Sequence, residues 1–135
     1  MSILKPLIIL SILVFTSFVN ANGEADHESK SVSIIQLISN PEKYDQTKVR
    51  LIGVPRLEFE GEFICLNKES YQFWVSKNCL WISPNIKAIN IPYKELEKYN
   101  GKYVLIEGTF NLKNLGHGGM NSGAIENVTR YQLWE

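Results

Sequence analysis

The residues best suited by type to do chemistry cluster in one stretch, residues 112–123, Leu-Lys-Asn-Leu-Gly-His-Gly-Gly-Met-Asn-Ser-Gly. Four glycines free the backbone there, and His117, Asn121 and Ser122 supply hydrogen-bond donors and acceptors. Such a loop can cradle an anion through its amides. It lacks the lysine and the helix start of a phosphate loop. The same composition also suits a flexible hairpin connection with glycines at positive φ, although the stretch is long for a join between paired strands. His117 could act as a general base with a carboxylate or a thiol, which would make the protein a small hydrolase.

Two further sets bear on chemistry. Glu58, Glu60 and Glu62 alternate with Leu57, Phe59, Gly61 and Phe63, so period two places the acids on one face of a hairpin. That face could hold a hard cation such as calcium, or simply meet water. Tyr71, Phe73, Trp74, Trp81, Tyr131 and Trp134 form a large aromatic set for this length. Exposed members on a small barrel stack on bases or sugars, and buried members fill a core. Trp74 is the expected exposed one, because residues 68–77 are largely polar. No nucleophile elbow, zinc-protease motif or nucleotide loop occurs, so neither a metal nor a cofactor is expected.

These residues sit in a chain of 135, with 14 basic and 14 acidic side chains, 44% hydrophobic and 21% charged. Those fractions exclude a disordered charged tail and suit one domain. The balanced charge argues against a nucleic-acid binder held mainly by phosphate contacts. Lys5 is the only charge before Glu24, and the apolar run 7–19 leads to Val19-Asn20-Ala21. That pattern is a secretory signal, residues 1–21, cleaved after Ala21. The run is shorter than a bilayer span, so no stable membrane span is expected once it is removed. The expected location is periplasmic or secreted. Residues 22–30 read as a flexible leader and 31–135 as a single domain. In an oxidising compartment Cys65 and Cys79 form a disulfide or remain as two buried thiols, and they are too few for a metal site.

The elements that must position these groups follow from pattern. Ser31 or Ser33 caps a helix whose apolar face is Ile34, Ile35, Leu37 and Ile38, and Asn40-Pro41 ends it. Residues 48–59 form a long strand, in which Pro55 marks an edge or a bulge. Glu60-Gly61 turns into a return strand at 62–66. Residues 68–76 are a helical turn or a loop, and 79–83 a short strand. A helix runs from Pro92 to Tyr99 and stops at Asn100-Gly101. Strands follow at 102–112 and 124–133. The last strand alternates Ile125, Asn127, Thr129 and Tyr131 against Glu126, Val128, Arg130 and Gln132, and neither face is plainly the buried one. There is also an internal echo. Glu42-Lys43-Tyr44-Asp45 precedes Val49 and Gly53 at the spacing by which Glu97-Lys98-Tyr99-Asn100 precedes Val104 and Gly108. It reads as two independent solutions to one helix-to-strand join. A mid-strand glycine lets a strand curl, as a small barrel requires.

The order suits a mainly β fold with short helices, a small five-stranded OB-like barrel with an N-terminal helix. Asn40-Pro41-x-x-Tyr44, with Val49 and Gly53 after it, resembles the opening of uncharacterised small exported bacterial proteins with an OB-like domain, some described as anticodon-binding-domain-like. Leu57-x-Phe59-Glu60-Gly61, Asn100-Gly101-Lys102-x-Val104-x-Ile106-Glu107-Gly108-Thr109-Phe110 and Gly116-His117-x-Gly119 are similar to later landmarks of that group. The resemblance covers most of residues 33–130 and implies fold, not activity. The expected function is a non-enzymatic exported binding module. Its binding face lies near the Gly-rich loop 114–123, with His117, Asn121, Ser122 and Trp74 as ligand contacts. The alternative is an interaction or inhibitor module that docks an envelope protein through a disulfide-stapled hairpin, roughly residues 58–81. The partner is therefore a small ligand or an envelope protein, with nucleic acid disfavoured.

Overall fold

Alternating apolar residues build two long strands, and a glycine in each lets them wrap. The computed structural model describes residues 2–3 and 28–135. The rest of the expected signal segment, and leader residues 22–27 with His27, lie outside the described residues. Six strands form one sheet: β1 Lys30–Ser31, β2 Lys48–Arg56, β3 Phe63–Cys65, β4 Cys79–Pro84, β5 Val104–Asn111 and β6 Ala124–Leu133. Their order is β1-β2-β3-β4-β6-β5, and a β2–β5 pairing closes the last five into a barrel. β4 runs parallel to β6 and β1 parallel to β2, while the other pairs are antiparallel. This is the expected five-stranded OB-like barrel, with β1 added outside it. Lys30, placed by sequence in the leader, is already paired with Val49.

Closure depends on Gly53 and Gly108. β2 pairs with β5 up to Gly53 and with β3 from Val54 onward, so the strand changes partner at the glycine. β5 shows its register shift against β6 between Glu107 and Thr109, across Gly108. Pro55 lies where β5 has ended. Its carbonyl accepts from Gly101 N at 3.1 Å, and its missing N–H faces the same way, where no strand needs it.

The sequence echo is a structural repeat with reciprocal contacts. Val49 pairs with Gly108, and Gly53 with Val104. Leu57 N donates to Asn100 Oδ1 (2.8 Å), and Leu112 N donates to Asp45 Oδ1 (3.0 Å). Gly101 N donates to Pro55 O, and Gln46 N to Phe110 O. Each turn thus fastens the far end of the other half's strand. Asn100 also donates through Nδ2 to Leu57 O at 3.1 Å. Asn100→Ala would leave both backbone groups of buried Leu57 unpaired, at a cost of about 1–3 kcal/mol. Asp45→Ala removes one bond to a backbone group, that of Leu112 N, and a long exposed one from Gln46 Nε2, and should cost less. Urea unfolding of the two variants checks this order.

The core holds Leu51, Ile64, Leu80, Ile82, Ile106, Phe110 and Ile125 from the strands. Helix α1 (Ile34–Ser39) adds Ile34 and Leu37. Ser33 caps α1 in a reciprocal pair with Gln36. Asn40 does end that helix, but Pro41 opens another, α2 (Pro41–Tyr44). Two expected strands shrink. β2 stops at Arg56 because Leu57 is bound by Asn100, and β3 is three residues long. Residues 68–76 resolve into α3 (Lys68–Gln72) and the start of a 3-10 turn, Ser76–Asn78. The sequence reading missed α4 (Ile86–Ile89), where Asn85 Oδ1 accepts from Ala88 N. Pro92 caps α5 (Tyr93–Glu97), which is shorter than expected.

On the outer face of β2, β5 and β6, Glu107 Oε1 accepts from Arg50 Nε at 2.6 Å and Arg130 Nη1 at 2.9 Å. Burial opposes the charge on Glu107, but the two arginine hydrogen bonds outweigh it and hold the carboxyl below its ordinary value. A carboxyl depressed in this way stabilises the fold above its unfolded value, and that contribution is lost as pH falls through the folded value. Below pH 4.5, the ordinary value, the wild type should therefore lose stability more steeply than Glu107→Gln in acid titrations followed by circular dichroism.

Candidate functional site

The site is built on the outer face of β3 and β4. Phe63 stands opposite Trp81, and Cys65 opposite Cys79, in adjacent antiparallel strands. The two cysteines are bonded to each other, so neither is free. Residues 66–78 between them fold back over this face. Asn67 Oδ1 caps α3 by accepting from Ser70 N, Leu66 N donates to Asn78 O, and Asn78 Nδ2 donates to the buried Ser70 Oγ. Tyr71 packs on the disulfide.

The fold-back ends in Trp74, whose backbone is left-handed at φ 56°. Val75 N reaches back to Ser70 O, so Trp74 occupies the helix-terminating position that glycine usually takes. A bulky side chain there costs about 1–2 kcal/mol and persists only where its surroundings hold it. The Arg56 guanidinium lies 4.4 Å from the Trp74 ring centre and 4.6 Å from that of Tyr71. Phe63 lies 5.4 Å from Trp74, ring to ring. Glu58 stands 3.7 Å from the Arg56 guanidinium. Despite this seat the indole is 55% exposed.

The Gly-rich loop closes the other side, and it is tied down rather than loose. Asn111 and Asn114 both donate to Glu126 Oε1. Asn121 N donates to Leu115 O, and Gly119 N to Gly116 O. Gly116 has φ 72°, and a Cβ there would stand 2.7 Å from both Asn121 Oδ1 and Trp81 Cε3. Ser122 N donates to Cys79 O, and its Oγ donates to Lys77 O at 2.7 Å. Ser122 thus anchors the loop and does not line the pocket.

A pocket of about 80 Å3 opens between these parts. Phe63, Trp74, Trp81 and Met120 supply apolar walls, and Asn121, His117, Ser76 and Glu60 the polar groups. Three of the four sequence-predicted contacts, Trp74, His117 and Asn121, therefore converge. The volume is far below the roughly 300 Å3 or more of a typical cofactor site. It suits one group projecting from a larger ligand. His117 is exposed and makes no hydrogen bond to a carboxylate among the described residues, and neither thiol is available to it.

The three glutamates do not share a face. Glu58 faces Arg56, Glu60 reaches the pocket, and Glu62 accepts from Tyr93 OH at 2.9 Å. Burial, and then that bond, push the Tyr93 phenol above its ordinary value. Among the described residues no group of three or more His, Cys, Asp or Glu could hold a metal ion. Of the aromatic set, Tyr131 is core and stacks on Tyr99, while Trp134 lies in a separate groove beside Arg50 and Arg130. Phe63, Ser76 and Met120 line the pocket and Arg56 seats Trp74 beside it, and none of the four was named as a contact from sequence. A lone arginine at a strand end carries no signal until Trp74 and Tyr71 fold over it.

No family model matches the chain. No curated protein matches it either. Among solved structures it is similar to "Crystal structure of a putative aspartyl-tRNA synthetase from Leishmania major Friedlin", with 12% identity and a TM-score of 0.46. The match covers 84% of this chain and 22% of that one, so the chain spans about a fifth of its length.

Proposed function

We propose that this protein is an exported, non-enzymatic binding module whose ligand inserts one group into the pocket between the 57–62 turn and the Gly-rich loop. The observation that carries the reading is Trp74. A half-exposed indole, held in a left-handed backbone by Arg56 and Phe63 on a pocket wall, is strain kept for a surface that meets something. The disulfide supports export, since such bonds persist in oxidising compartments.

Trp74→Gly separates binding from folding. Relief of about 1–2 kcal/mol of left-handed strain offsets ring contacts worth about 0.5–1.5 kcal/mol each. Stability should then change by no more than about 1 kcal/mol, while binding falls at least about tenfold, the loss of roughly 1.4 kcal/mol. The test is indole fluorescence of the wild type and the variant against pooled glycans, peptides, oligonucleotides and divalent ions. Equal binding by both proteins would remove Trp74 from the site.

A second reading, docking of an envelope protein, draws on Phe59 and Phe73, which are 93% and 71% exposed beside the same pocket. In that case the pocket would take one side chain of the partner, and the pools would stay silent.

A further inference from the structure

The most buried polar side chain of the pocket is one that the fold does not use. Asn121 is only 6% exposed, and its side-chain amide has no hydrogen-bond partner among the described residues. With no partner in the fold, the amide is open to a group that enters the pocket. It offers a donor and an acceptor side by side, which matches another amide. Its surroundings are apolar: Trp74, Trp81, Met120 and Phe63. The matching group is therefore an amide carrying a small apolar cap. A volume of about 80 Å3 admits an acetamido group and excludes a stacked base pair or a whole cofactor.

What carries the acetamido group follows from the walls and the sheet. One way a peptide binds to a sheet is by adding to a free strand edge. β3 is paired on both sides, by β2 and β4, and β4 by β3 and β6, so the pocket floor presents no such edge. A nucleic-acid strand wants a basic groove, and the rim here carries Glu60. A sugar ring needs an aromatic face for its C–H groups and scattered polar groups for its hydroxyls. Trp74 provides the exposed face. Ser76, His117 and Glu60 have no side-chain hydrogen bonds to other described residues and are available to hydroxyls.

We infer that the pocket recognises an N-acetylated amino sugar within a glycan, the acetamido group meeting Asn121 and the ring stacking on Trp74. The inference rests on the reading that this pocket is the binding site. The test is an NMR titration of the protein with a β-1,4-linked N-acetylglucosamine tetramer, and with the glucose tetramer that has hydroxyls in place of the acetamido groups. The acetylated tetramer should shift the Asn121 side-chain amide and the Trp74 and Trp81 indole N–H signals. The glucose tetramer should bind at least about tenfold more weakly. Asn121→Ala, which removes the donor and the acceptor together, should remove that preference while leaving the melting temperature within a few degrees. Equal binding of both tetramers would overturn the acetamido assignment and leave the site standing. No response to either sugar, with pocket shifts caused by an acetylated peptide, would also overturn it and leave the site. Sugar-induced shifts confined to residues outside the pocket would overturn both.

Discussion

Replacing Cys65 and Cys79 together by alanine should lower the melting temperature on the order of 10–20 °C, because the bond closes a loop worth about 3 kcal/mol. The two residues lie 14 apart in sequence and directly opposite in β3 and β4. With Phe63 and Tyr71 they form a small apolar cluster of their own, apart from the barrel core. The other ties of residues 66–78 to the barrel, the Arg56 and Phe63 contacts to Trp74 and Tyr71, Lys68 over Tyr103 and the bonds of Lys77 to Asn121 and Ser122, are each weak beside the disulfide. Loss of the disulfide should therefore also release Trp74 from its seat. Tryptophan fluorescence should shift towards that of solvent-exposed indole before the barrel unfolds. Reduction of the unaltered protein should reproduce both effects. A shift of under about 3 °C, less than 1 kcal/mol on this scale, would show that side-chain packing alone holds the segment.

Gly108→Ala and Gly53→Ala should each cost about 1–3 kcal/mol or more. Neither glycine has a positive φ, so the cost is one of space. A Cβ at Gly108 would meet Ile125 Cγ2 at 2.7 Å and Glu126 O at 2.8 Å. At Gly53 it would meet Ile64 Cγ1 at 2.7 Å and Cys65 O at 2.8 Å. In each case a backbone oxygen belongs to the strand that the curl brings close, so relief requires the barrel to open. Gly61 is the control: its nearest atom is 3.9 Å away, and Gly61→Ala should stay within about 0.5 kcal/mol. Denaturant midpoints of the three variants decide the point. An unaffected Gly108→Ala would mean that β5 and β6 do not approach so closely.

The barrel was legible because its signals are local. Alternation over β2 and β5, the mid-strand glycines and the Asn100-Gly101 stop each act within a few residues. The buried face of β6 was not, although its span was, and the reason is physical. Asn127 takes a left-handed backbone, and between Glu107 and Thr109 the register against β5 slips, so burial falls on Ile125, Val128 and Tyr131 instead of alternate residues. The reciprocity of the echo was hidden for a different reason. Its spacing is visible in the chain, but the pairing of Asn100 with Leu57 and Asp45 with Leu112 exists only once the two halves meet. Of the four candidate contacts, His117 and Asn121 reach one pocket from the Gly-rich loop and Trp74 reaches it from the fold-back at 66–78. Ser122 shares that loop but is used to tie it to Lys77. The row of glutamates misled because the chain turns at Glu60, whose φ of 59° breaks the period-two pattern.

We propose the aromatic pocket between the 57–62 turn and the Gly-rich loop as the place where this protein meets its ligand. Amide chemical-shift mapping of the protein against pooled glycans, peptides, oligonucleotides and divalent ions tests it most directly. Shifts clustered on Glu60, Gly61, Phe63, Trp74, Trp81 and residues 116–121 are expected. Shifts centred instead on the Arg50, Arg130 and Trp134 groove, with the pocket unmoved, would contradict it.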